Sequence, residues 1–307
     1  MSILADTESS RVYAVDIGGS KMLSAVVSAD AELDRLRIWS AVPADPRQLL
    51  ERIAADFEEA AAQFSIGACG VSIPGLTDPE KGLWRHASFS GMRNWAIGPA
   101  LRDSLGVPIA ICNDVDACAH AEIRWGLGKE AQDFAWITLS NGVGGALVLQ
   151  GAPYLGSSYA AAEIGHMKAV RSGLPCECGG FGCLEQYASG RAIARQYARK
   201  KGLDDAPSCA EIAAWARGGD AIAREVFDEA GGHLGNVIAD VISLLNLPLI
   251  VFGGGVALSF DLLNNTFTQT LAASLYPEAN PMPRVEVTPL GYHAALLGAA
   301  SLAFSTL

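Results

Sequence analysis

Three cysteines crowd together in this sequence, Cys176, Cys178 and Cys183, and His166 stands ten residues before the first of them. Three thiolates and one imidazole complete a tetrahedral zinc site, and Gly179, Gly180 and Gly182 give the chain room for a tight knuckle. Such a set leaves no open position for water, so the metal it predicts is structural. The plainer alternative is a group of buried free thiols. Zinc would also fix two acids through their neighbours, Glu163 three residues before His166 and Glu185 two after Cys183. A third acid, Asp114, follows an apolar strand and precedes a helix, where active-site carboxylates are often found. Taken singly, each of these acids also suits a solvated surface position. Three glycine turns complete the chemistry: Gly18-Gly19, the run Gly142, Gly144 and Gly145, and Gly253-Gly254-Gly255. Glycine lets backbone N–H groups approach phosphate oxygens, Ser20 and Lys21 add a hydroxyl and a cation, and Asp16 offers a carboxylate to Mg²⁺ or its waters. Neither the P-loop pattern nor GxGxxG is present, and a GGSK turn alone also reads as a tight hairpin.

These residues need elements to hold them. Residues 11–27 read as strand, glycine turn, strand. Residues 46–64 carry helical spacing, residues 68–73 form a buried strand ending at Pro74-Gly75, and residues 97–105 form a short helix. Residues 107–112 make a strand that runs into Asn113-Asp114, and residues 117–125 a helix stopped by Gly126. About 120 residues after the first hairpin the pattern restarts at residues 134–151, a repeat of architecture and not of letters. Helices follow over residues 208–217 and 220–246, with Asp220 capping the longer one. Its stripe of Ile222, Val226, Phe227, Ala230, Leu234, Val237, Ile238, Val241 and Leu245 reads as core. Residues 249–252 form a strand, and residues 294–304 a helix of small residues. Two α/β halves, each opening on a glycine hairpin, suit a bilobal protein with a ligand between its lobes, although two unrelated hairpins fit the periodicity equally well.

Composition narrows the partners. The chain has 307 residues, 33 acidic and 22 basic, for a net charge of −11. That balance speaks against nucleic acid, which demands a basic footprint, but leaves room for a nucleotide in a local basic patch. Only 18% of residues are charged, which fits a core-rich chain and excludes a disordered one. No apolar run approaches the ~20 residues of a membrane span, and the short acidic N-terminus lacks the apolar core of a secretory signal. Seven cysteines, an odd number, without such a signal predict reduced thiols and a cytoplasmic protein.

DIGGSK at residues 16–21, Asn113-Asp114, EIGH at 163–166, CECGGFGCLE at 176–185 and IVFGGG at 250–255 resemble, in order and spacing, the ROK family of repressors, open reading frames and sugar kinases. The cysteine motif is the specific part of the likeness, which covers nearly the whole chain from about Arg11. It implies an α/β, two-domain, actin-like (hexokinase/RNase H-like) ATPase fold with an interdomain cleft. The small domain would be residues 1–118 plus 293–307, and the larger, residues 119–292, would carry the zinc loop. The family's repressors add an N-terminal winged helix, for which about ten residues before the first strand leave no room, so a kinase is the expectation. The resemblance implies Asp114 as the catalytic base and Asn113, Glu163, His166 and Glu185 as sugar-hydroxyl ligands, with His166 also binding zinc. Asp16, Gly18, Gly19, Ser20, Lys21, Asn141, Gly142 and Gly144 would face the phosphates of ATP, and Gly253, Gly254 and Gly255 its adenosine.

The activity so implied is ATP- and Mg²⁺-dependent phosphorylation of a hexose 6-hydroxyl, with glucose the first expectation. N-acetylmannosamine or N-acetylglucosamine is the alternative, since Ser189-Gly190-Arg191 resembles the kinases of those sugars. A catalytically weak sugar sensor is the alternative of another class, and a homodimer the expected assembly. Three departures from the family pattern stand out. Ser20 replaces a threonine and Ser140-Asn141-Gly142 replaces Gly-Thr-Gly. Asp116 replaces an asparagine, which puts a second charge near Asp114 and predicts a raised pKa for the base.

Overall fold

Tyr13, Val15 and Ile17 on one strand and Met22 and Val26 on the next are fully buried. Apolar runs with no polar alternation are what a sheet covered on both faces requires. The computed structural model describes residues 11–19, 21–86 and 91–307. Its contacts divide the chain into two units. The first ends at Glu130 and takes in Ala152–Ala161 and His293–Leu307; the second is Ala131–Gly151 with Ala162–Tyr292.

In the first unit, β1 (Arg11–Ile17), β2 (Met22–Val27) and β3 (Leu33–Trp39) form an antiparallel meander. Next to β1 lie β4 (Ile66–Ile73) and then Ile109–Asn113, both parallel to it. One face is covered by α1 (Pro46–Ala61) and α2 (Ile97–Leu105), which join Tyr13, Val71, Trp84 and Ile111 in one core. Asp45 caps α1 by accepting from Arg47 and Gln48 N–H, and Pro46 sits at the first helical position, where its missing donor costs nothing. Across the sheet, α3 (Asp114–Trp125) packs with α9 (Ala294–Phe304). The small residues of α9 have a steric reason. A Cβ at Gly298 would strike the Ala117 carbonyl, and one at Gly70 of β4 would strike that of Ala299. A small three-stranded sheet, Leu76–Asp78, Leu83–His86 and Arg93–Trp95, completes the unit around the stacked Trp84 and Trp95.

The second unit restarts with an antiparallel hairpin, Phe134–Leu139 and Val143–Leu149. Leu249–Gly253 lies parallel to the first of these strands, and Arg284–Val287 parallel to Leu249–Gly253. Behind them, and following α4 (Glu185–Ala188), α5 (Gly190–Lys201) and α6 (Cys209–Arg217) in the chain, α7 (Ala221–Leu245) buries the predicted stripe from Val226 to Val241 and leaves its ends, Ile222 and Leu245, partly buried, while α8 (Phe260–Ser274) packs along it. Asp220 caps α7 by accepting from Ile222 and Ala223 N–H, as its position promised. Among the described residues, no helix is long and apolar enough to cross a membrane, and the seven cysteines are free thiols.

Candidate active site

The predicted residues fall into two groups, one in each unit. The first group stands at the carboxyl ends of the parallel strands, the edge where open α/β sheets carry their ligands. Register puts Asp16 opposite Ser72, and Ile73 opposite Asn113. Ser72 Oγ donates to Asp16 Oδ1 at 2.8 Å. Burial pushes the Asp16 carboxyl up to about 6, against the opposing pulls of the Ser72 hydrogen bond and the Lys21 charge. The backbone N–H of Gly18 donates to the Lys21 carbonyl at 2.8 Å, closing the turn around Gly19. Ser20, expected to face phosphate, lies outside the described residues.

The helix after Asn113 begins three residues earlier than the apolar spacing suggested. Asn113 is its N-cap, accepting from Val115 N–H at 2.8 Å and Asp116 N–H at 3.4 Å. Its amide nitrogen donates to the Gly75 carbonyl at 2.9 Å. Asn113 is therefore largely engaged in fixing the strand-to-helix corner. Asp114 is the first residue of the helix, with Oδ1 accepting from its neighbour Val115 N–H at 3.0 Å. Burial, reinforced by the Asp16 charge, pushes Asp114 up to about 7, while these backbone donors and Asn113 pull the other way. The like charge acting on the base is thus that of Asp16. Asp116, the residue to which the sequence ascribed it, instead bears on the buried thiols of Cys112 and Cys118, which burial has already raised.

The second group is built on loops. His166 ends a short 3₁₀ turn, Ile164–His166, pressed so close to the hairpin that a Cβ at Gly165 would strike the Val143 carbonyl. The His166 ring divides its nitrogens: Nδ1 lies 3.6 Å from Cys176 Sγ, and Nε2 lies 3.9 Å from Glu163 Oε2. Cys178 and Cys183 bring their sulfurs to 3.6 Å, and one ligand atom from each of the four residues lies within 4.8 Å of the others. Sulfurs bound to one tetrahedral zinc at ~2.3 Å stand roughly 3.8 Å apart, so this donor set fits the ion. Lys168, which the sequence reading missed, donates from Nζ to Cys183 Sγ at 2.9 Å. Three thiolates around Zn²⁺ carry one net negative charge, and the ammonium balances it. Charge balance foretells such a cation, but only the bridge between Lys168 and Cys183 says which one.

Glu185 opens a one-turn helix directly after the knuckle. Its Oε2 accepts from Val143 N–H at 3.0 Å, and a Cβ at Gly142 would fall 2.5 Å from that oxygen. The carboxylate predicted for sugar thus lies against the turn predicted for phosphate. Asn141, Gly142 and Gly144 stand in or beside that turn, with Gly144 paired to Thr138. Gly253 packs on the Trp136 ring, Gly254 turns the chain at φ +90°, and Val256 N–H donates to the Leu139 carbonyl at 2.9 Å.

The first unit thus carries a pair of raised carboxyls at a parallel sheet edge, and the second a zinc-type knuckle locked to a glycine turn. With two such sheets and their covering helices, this is an α/β protein of the actin-like ATPase class. The chain belongs to the ROK family, whose model matches residues 12–306. It is 30% identical to the glucokinase of Streptomyces coelicolor over 310 aligned positions, covering 94% of this chain and 96% of that one. Among solved structures it resembles a Streptomyces griseus ROK glucokinase in complex with glucose and AMPPNP: TM-score 0.84, 30% identity, 96% of this chain and 99% of that one. A ROK transcriptional regulator, a homologue of the Escherichia coli MLC protein, superposes with TM-score 0.89 at 25% identity, covering 97% of this chain and 78% of that one.

Proposed function

We propose that this chain is a hexose 6-kinase that takes its phosphoryl group from ATP with Mg²⁺, with glucose as its first substrate. The carrying observation is Asp114: a carboxyl at the corner between a parallel strand and a helix, its pKa raised to about 7 by burial and by Asp16. A base poised near neutrality is what proton transfer from a sugar hydroxyl asks for, and it contributes ~10²–10⁴ in rate. Asp114 takes the 6-hydroxyl proton as that oxygen forms its bond to the γ-phosphorus and the bond to the ADP oxygen breaks. Glu163, His166 and Glu185 orient the ring hydroxyls, and Asn113 contributes the amide N–H not given to the Gly75 carbonyl.

Asp16 is the residue for Mg²⁺, since a carboxylate raised by burial gains from a cation beside it. The metal would neutralise charge developing on the phosphates. Gly18, Gly19, Ser20, Lys21, Asn141, Gly142 and Gly144 serve the phosphates, and Gly253, Gly254 and Gly255 the adenosine. Zinc on His166, Cys176, Cys178 and Cys183 is structural. The reading includes a cytoplasmic homodimer without nucleic acid or membrane as partner.

A second reading, a sugar sensor with little turnover, is favoured by Asn141, which stands where the family pattern has a threonine hydroxyl. The likeness to a ROK regulator supports it too. ADP release measured over glucose, N-acetylmannosamine and N-acetylglucosamine separates the two. Release with one of these sugars supports the kinase; thermal stabilisation by a sugar with no release from any of them supports the sensor.

A further inference from the structure

Arg191 has no place in the reaction as drawn, yet it touches three parts of the second unit. It lies in the first turn of α5 (Gly190–Lys201). Its Nε donates to the Asn141 carbonyl at 3.0 Å, and its Nη2 lies 3.6 Å from Glu185 Oε1. Its Nη1 lies 3.5 Å from Glu177 Oε1, between two of the clustered cysteines. The other ties at this junction run the same way. Gly190 N–H donates to the Ser140 carbonyl at 2.8 Å, and Glu185 Oε2 accepts from Val143 N–H at 3.0 Å. Within the turn itself, Ser140 N–H donates to the Gly142 carbonyl at 2.9 Å. The glycine turn is therefore held from outside by a carboxylate and a guanidinium that also face each other.

We propose that Arg191 is a positioning residue that joins Glu185 to the Ser140–Gly142 turn, so that hexose binding and nucleotide binding strengthen one another. This rests on the kinase reading. A hexose that fixes the Glu185 carboxylate also fixes the partner of Val143 N–H and of Arg191, and with them the carbonyl of Asn141. The turn then meets phosphate already ordered. By linkage the same gain must appear in hexose affinity once nucleotide is bound. A guanidinium is suited to the task because its planar fork serves a carbonyl and a carboxylate at once, whereas an ammonium is a single point of charge.

The test is calorimetric, on the zinc-loaded full chain. Affinity for glucose, N-acetylmannosamine and N-acetylglucosamine is measured with and without saturating Mg²⁺–AMPPNP, and affinity for the nucleotide with and without the sugar that binds best. We expect mutual strengthening of about tenfold in the wild type, within the range of ordinary coupling energies. In Arg191→Ala and Arg191→Lys it should fall to about twofold, with each ligand alone binding nearly as before and the melting temperature unchanged. Glu177→Gln, which removes only the third contact, should keep the wild-type coupling. Undiminished coupling in both Arg191 variants overturns this inference and leaves the kinase reading standing. So does additive binding of sugar and nucleotide in the wild type. A wild type that binds no hexose refutes the kinase reading and this inference with it.

Discussion

The two units hold their chemistry by opposite means. In the first, Asp16, Ser72, Asn113 and Asp114 sit where β1, β4 and the next parallel strand end, so hydrogen-bond register fixes them. Their cost is electrostatic: both carboxyls are pushed well above the usual range, mainly by burial. In the second unit, Glu163, His166 and Glu185 stand on short turns with little regular structure, and what draws these turns together is a cluster of three thiols and an imidazole. The first group is held by register under charge strain, whereas the second, on the proposal that its thiols and imidazole hold zinc, depends on a metal. Removing charge should therefore help the fold of the first, and removing metal should harm that of the second.

The sharpest separation comes from Asp114→Asn. Loss of the base should lower kcat by ~10²–10⁴ while hexose affinity changes little. The same substitution should stabilise the fold. A carboxyl whose folded pKa is raised from 3.8 to about 7 favours the folded state below pH 3.8 and loses that contribution as pH rises toward 7. At pH 8 the ionised, half-buried acid therefore weighs against folding, on the order of 1–2 kcal/mol after allowance for solvent. Melting curves should place the variant a few degrees above wild type at pH 8 and level with it near pH 4. A variant that is slow and also less stable at pH 8 would show that Asp114 is not held under charge strain.

Metal removal should act on the other half alone. Metal analysis of the purified chain should find about one zinc per chain. Chelation, or Cys183→Ser, should weaken hexose binding at least tenfold, because metal-site perturbations of this kind commonly cost ~10–100-fold. Native-state hydrogen exchange should accelerate over residues 163–188 while the amides of β1 and β4 stay protected. Uniform loss of protection through both units would mean that the metal supports the whole molecule and that the division of labour is wrong.

How much of this could be read in advance divides along the same line. Periodicity located α2 residue for residue, and the cap at Asp220 and the core stripe of α7, because those signals are local. It missed α8 and the strand Leu33–Trp39, whose patterns are weak until a neighbour covers them. In the site, residue types announced the thiols, the histidine and the acids. They did not announce Ser72 or Lys168, and they marked Arg191 only as part of a likeness to the N-acetylhexosamine kinases; the contacts of all three come from parallel register, a loop crossing and a helix start far along the chain. The apolar spacing places the start of α3 three residues late because Asp114, Val115 and Asp116 interrupt it, and the cap at Asn113 is the stronger signal. Proximity in sequence points to Asp116 as the charge acting on Asp114, whereas the carboxylate that matters, Asp16, arrives through the sheet.

The pH dependence of turnover gives a milder probe of the first half. With a base whose pKa is about 7, kcat/KM for the hexose should fall below that pH, roughly tenfold per unit, as the carboxylate is protonated. Above pH 8 it should be flat on this account. An acid limb near pH 4 would mean that Asp114 titrates as an ordinary exposed carboxyl when catalysis occurs.

The smallest effects should come from the three consecutive glycines of the second unit, and they tell packing from binding. A Cβ at Gly253 would enter the Trp136 ring, and Gly254 combines φ +90° with close approach to the Leu139 carbonyl. Alanine at either position should lower the melting temperature, since strain or overpacking of this kind costs ~1–3 kcal/mol. A Cβ at Gly255 meets nothing within 4 Å. The fold supplies no reason for glycine there, so any reason must lie in what approaches from outside. Gly255→Ala should leave the melting temperature alone and raise the apparent KM for ATP a few-fold. Unchanged ATP dependence in that variant would confine the role of the run to packing and break the assignment of Gly255 to the nucleotide.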